Sequence, residues 1–96
     1  MPRRLEIFLK VQIARELRIA RRLVSVELHH NRLMIFCAAV PGSIKNGKLN
    51  RVMDTAIRVG KKMKAGGVRI CFYARNDTTI REVFEADLSE DEAPKG

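Results

Sequence analysis

The period of the apolar side chains changes several times along this chain, and each change marks an element. Leu5, Ile7, Leu9, Val11 and Ile13 alternate with Glu6, Phe8, Lys10 and Gln12. That period of two predicts a strand over residues 4–11, with Pro2 at its leading edge. A continuous helix from Arg3 competes with it, because neither Gly nor Pro breaks the chain before Gln12. From Gln12 to Leu23 the period lengthens. Ile13, Leu17 and Ala20 stack on one side of a short helix, and Arg15, Arg18 and Arg22 stack on the other at i, i+3 and i+7. Val24, Val26 and Leu28 alternate again, and after His29-His30-Asn31 comes an apolar run from Leu33 to Val40. This reads as a β-hairpin whose second strand is largely buried.

Pro41-Gly42-Ser43 reads as a loop, and Asn46 to Lys64 as the best-formed amphipathic helix of the chain. At 100° per residue Leu49, Val52, Met53, Ala56, Val59, Gly60 and Met63 share one arc, while Arg51, Arg58 and Lys62 lie opposite with Lys61 and Asp54 at their flank. Ala65-Gly66-Gly67 closes the helix. Val68, Ile70 and Phe72 then alternate as a strand, Arg75 to Thr78 supplies turn chemistry, and Ile80 to Leu88 forms a last strand.

These elements give an α+β fold of order β-α-β-β-α-β-β, with two helices on one face of a mostly antiparallel sheet. Leu17-Arg18-Ile19-Ala20-Arg21-Arg22-Leu23 matches Ile57-Arg58-Val59-Gly60-Lys61-Lys62-Met63 in character at an offset of 40. The match suggests an αββ internal duplication, two units paired about a pseudo-twofold on a five- or six-stranded sheet; the alternative is the chance likeness of two basic amphipathic helices. Residues 1–88 form one basic domain, and the acidic, Pro-containing residues 89–96 a disordered tail.

Charge sharpens this picture. The net charge is +8, but residues 1–75 hold 17 Lys and Arg against 4 acids, whereas residues 76–96 hold 2 against 7. A basic body with an acidic tail is the electrostatic footprint of a nucleic-acid-binding protein. The candidate contacts are Arg15, Arg18 and Arg22 on the first helix and Arg51, Arg58 and Lys62 on the second, with Lys45, Lys48 and Lys61 secondary. Lys45 and Lys48 also flank the free N–H groups that begin the central helix, where a phosphate is well received. Such contacts carry affinity and little sequence information. With five aromatic side chains and no Trp, base stacking on single strands is poorly served, so duplex DNA or structured RNA is the expected partner.

Two resemblances cross this reading. Gln12 to Asn31 resembles a helix-turn-helix unit, with Arg18 in place of the turn glycine and Glu27 at an apolar site. If residues 24–30 stay helical, the order becomes β-α-β-α-β-β, which is similar to the Alba chromatin proteins. Those are basic, dimeric and of this length, but a Lys-rich turn before the first helix is present here only as Lys10.

Other classes find less support. The acids of the basic body are isolated, so no carboxylate cluster suits a nuclease metal and no enzyme is expected. Cys37 and Cys71 form no CxxC and have no His at ligand spacing, and adjacent His29 and His30 diverge on an extended chain. Neither metal nor cofactor is expected, and free, half-buried thiols suit a reducing cytoplasm. No apolar run is long enough for a membrane span. A non-enzymatic inhibitor or adaptor docking on an acidic partner is the alternative to nucleic-acid binding. The core is small, and a homodimer would enlarge it.

Overall fold

A computed structural model describes residues 1–39, 42, 44 and 46–88. The elements are α1 (Arg3–Leu17), a short 3₁₀ turn (Arg21–Leu23), β1 (Val24–His29), β2 (Arg32–Cys37), α2 (Asn46–Lys62), β3 (Gly67–Ala74) and β4 (Asp77–Asp87). The fold is α+β, and the two αββ units follow one another in sequence. The predicted first strand is the exception: residues 4–11 lie inside α1. Their alternation is real, but the same residues also satisfy a helical repeat, with Leu5, Leu9, Ile13 and Leu17 four apart. Leu9 and Ile13 are fully buried, and Ile7, which a strand would place beside them, is 45% exposed. Leu, Glu, Lys, Gln and Arg are strong helix formers, and nothing interrupts them after Pro2.

The helix predicted for residues 12–23 ends early. At Arg18 the backbone enters the left-handed region (φ 58°). Ile19 N–H bonds Ala14 O at 3.0 Å and Arg18 N–H bonds Arg15 O at 3.3 Å, the paired bonds of a Schellman cap. Arg15, Arg18 and Arg22 therefore do not form one helical stripe. α2 closes the same way at Lys64 (φ 60°), with Ala65 N–H on Gly60 O at 2.9 Å, so Lys64 takes the role expected of the glycines.

The sheet has four strands in the order β1-β2-β3-β4, where five or six were expected. β1/β2 and β3/β4 are antiparallel, and β2/β3, joined through α2, are parallel. A twofold normal to the sheet would make its two central strands antiparallel, and β2 and β3 are parallel, so no such axis relates the two hairpins. The pseudo-twofold is absent, and the seven-residue match pairs a helix body with a cap and a 3₁₀ turn. The β1–β2 turn is made by His30 and Asn31, both at positive φ (52° and 62°), as a two-residue hairpin turn requires. Residues 24–29 are therefore strand, which excludes both the helix-turn-helix and the Alba-like order.

Both helices cover one sheet face. Leu9 and Ile13 of α1 and Val52, Ala56 and Val59 of α2 close over Val24, Leu33, Ile35, Val68, Ile70 and Phe72. The buried arc of α2 is the one the pattern predicts, with Leu49, Met53 and Met63 half-buried at its margins. Gly60 lets α2 approach closely, because a Cβ there would lie 2.7 Å from Leu88 Cδ1 and 3.0 Å from Val68 Cγ2. The helix-free face carries the cross-strand row Ser25, Phe36, Cys71 and Val83. No helix among the described residues is long and apolar enough to cross a membrane.

Candidate nucleic-acid interface

The parallel pair decides where the cations meet. β2 and β3 end side by side, and the chain crosses between them through α2, whose first turn lies at that end. α1 ends there as well, because the two helices run antiparallel: Glu16 near the end of α1 bonds Arg51 near the start of α2. In open α/β sheets the crevice beyond the carboxyl ends of parallel strands is where ligands are received. Here that crevice is a cleft of about 670 Å³. Its apolar wall comes from Leu17, Ile19, Leu23, Ala38, Ala39 and Ile44, and its charged rim from Arg18, Arg22, Lys48 and Arg75.

Each rim residue has a local reason for its place. The Schellman cap turns Arg18 out of the helix, and the 3₁₀ turn lifts Arg22 to the mouth. Lys48 stands in the first turn of α2, and Arg75 in the β3–β4 turn. Among the described residues no carboxylate lines the cleft and none of the four forms an ion pair. Four like charges around one concavity, partly walled by apolar atoms, raise the local potential well above that of the same charges spread over a surface.

The other predicted cations divide. Arg58 and Lys62 lie at the far end of α2, where with Arg4, Leu5 and Phe8 they line a second groove of about 350 Å³. Lys48 and Lys62 are about 21 Å apart along the helix at about 1.5 Å per residue. Between them Arg51 Nε is held by Glu16 Oε2 at 2.7 Å. Arg15 and Lys61 are exposed but line neither groove, and Lys45 lies outside the described residues. Five of the nine predicted cations thus gather at two foci, with Arg51 paired between them and Arg15 and Lys61 outside both. Arg75 and Arg4 line these grooves but are not among the cations the sequence singled out. Their signal lies in tertiary placement, since Arg75 reads as turn chemistry and Arg4 as part of a strand.

The remaining titratable groups offer little chemistry. Cys37 is free and buried under the helices, and burial pushes its thiol up to about 12. Cys71 is free and also buried, and burial raises its thiol too. Both are deeper than the half-buried positions expected and are poor nucleophiles in this state. The Thr79 backbone N–H, 3.0 Å from Asp77 Oδ1, lowers the Asp77 carboxyl, with help from the Thr79 side chain and from Arg81 at 3.2 Å. The rings of His29 and His30 lie 4.5 Å apart, brought together by the tight turn. Among the described residues no group of three or more His, Cys, Asp or Glu could hold a metal ion.

Compared with protein-family models, with curated proteins and with solved structures, the chain matches none.

Proposed function

We propose that this is a small basic nucleic-acid-binding protein that contacts phosphates with little sequence specificity, and that duplex DNA or structured RNA is its partner. One observation carries the reading: Arg18, Arg22, Lys48 and Arg75, from four separate parts of the chain, converge on one cleft that no described carboxylate lines. Folding four cations together without internal counter-charges is unfavourable unless an anion joins them. The second focus, Arg4, Arg58 and Lys62, gives a long ligand a further hold. The Arg and Lys side chains of both foci rim concave surfaces, a placement that favours phosphates over base edges and fits weak sequence preference.

The supporting experiment is a gel-shift panel of duplex DNA, single-stranded DNA and a structured RNA, each at low and at moderate salt. Duplex or structured RNA is expected to bind best, with affinity dropping steeply as salt rises. Binding indifferent to salt, or none to any of the three, contradicts the proposal. Two free thiols fit a reducing cytoplasm. A second copy would find apolar surface on the helix-free face, where Ile80 and Val83 are 43% and 42% exposed.

A further inference from the structure

Resting on that reading, we infer that the cleft is an end site: it seats one terminal phosphorylated nucleotide, and the duplex or stem behind it lies outside. Three observations point this way.

The first is size. A volume of about 670 Å³ is that of a cube about 9 Å on a side, whereas the major groove of a duplex alone is about 12 Å wide. A duplex cannot enter, but a single nucleotide can, and the volume falls within the usual range for a small-ligand site.

The second is the division of its surface. One side is aliphatic, formed by Leu17, Ile19, Leu23, Ala38 and Ile44, and the rim is cationic. A nucleotide has the same two halves, a base whose flat faces pack on apolar atoms and a charged phosphate. The aliphatic wall offers no side-chain donor or acceptor, so the ring is accepted without regard to its identity.

The third is charge. A bridging phosphodiester carries one negative charge, whereas a terminal monoester carries about 1.5 to 2 at neutral pH, because its second proton leaves near pH 6. Four cations on one concavity match a monoester better than one diester. A diester backbone running past the protein would instead favour cations in a row, and the row along α2 is broken where Arg51 is bound to Glu16.

The test is fluorescence anisotropy with one duplex sequence in four forms: 5′-phosphorylated, 3′-phosphorylated, hydroxyl at both ends, and closed into a dumbbell with no ends. One of the phosphorylated duplexes is expected to bind about tenfold more tightly than the hydroxyl and dumbbell forms, and which one identifies the end that enters. The preference should shrink between about pH 7 and pH 5, as the monoester takes up its second proton. The double variant Arg22→Gln/Arg75→Gln, at two exposed positions with folding checked by circular dichroism, should lose the preference between the phosphorylated and dumbbell forms, and a preference that persists in it overturns the end site. Equal affinity for the phosphorylated and dumbbell forms overturns the end site while leaving phosphate binding intact. Failure of all four forms to bind removes both.

Discussion

Arg51 Nε donates to Glu16 Oε2 at 2.7 Å, and this bond ties α2 to α1 while removing one cation from the middle of the helix layer. The side chains are 60% and 29% exposed, so the pair stabilises the fold by less than about 1 kcal/mol. Its larger effect is on where charge is available. Glu16→Gln should barely move the thermal midpoint and should free Arg51 for a phosphate. The slope of log K against log salt should then steepen by about 1. An unchanged slope would mean that Arg51 does not reach the ligand even when released.

Arg18 and Lys64 form a matched pair for separating stability from binding. Each is a basic residue in the left-handed position of a Schellman cap, where glycine is better by about 1 kcal/mol. Arg18→Gly and Lys64→Gly should both raise stability by about that amount in urea titrations. Only Arg18→Gly should weaken nucleic-acid binding, with the salt slope falling by about 1, because Lys64 lines neither groove. Equal binding by the two variants would remove Arg18 from the site.

The contrast between α1 and α2 shows what the sequence could reveal. α2 was legible because only one period fits it: seven apolar positions share an arc, and a period of two matches nothing there. In α1 the apolar residues at 5, 7, 9, 11 and 13 satisfy both periods, and only the packed structure shows that Ile7 is the one left out. The end of α1 was illegible for a different reason. Arg18 is a good helix former in a position that favours glycine, so no breaker marks the turn. The cleft could not be read because it depends on the parallel β2–β3 register, a long-range pairing that puts Arg75 beside Arg18 and Arg22. Hairpins are announced by their turns, but a crossover is not.

Burial of Cys37 makes stability depend on alkaline pH. Its thiol is raised from 9.0 to about 12. The unfolded chain releases that proton near pH 9 and the folded chain holds it. The contribution is therefore complete below about pH 9 and is lost as pH rises toward 12, on the order of 4 kcal/mol across the window. Cys37→Ala should be less stable at neutral pH yet lose much of this alkaline decline. A decline of equal size in the variant, followed by chemical denaturation, would assign it to other groups.

Gly60 sits where α2 touches the sheet. A valine there gains slightly in helix propensity but forces its side chain into Val68 and Leu88, whose atoms lie 3.0 Å and 2.7 Å from the first added carbon. Gly60→Val should lower stability by about 2 kcal/mol through overpacking, read as a lower urea midpoint at unchanged slope. Neutral or improved stability would show that α2 lifts from the sheet easily.

The salt dependence of duplex binding by the wild type and by Arg22→Gln/Arg75→Gln tests the central claim most directly. Seven cations in the two foci bound the wild-type log–log slope at about −6, and the variant, with two fewer, should be flatter by up to about 2. A wild-type slope near zero, or a variant slope equal to that of the wild type, would contradict the assignment of the cleft as the phosphate-binding site.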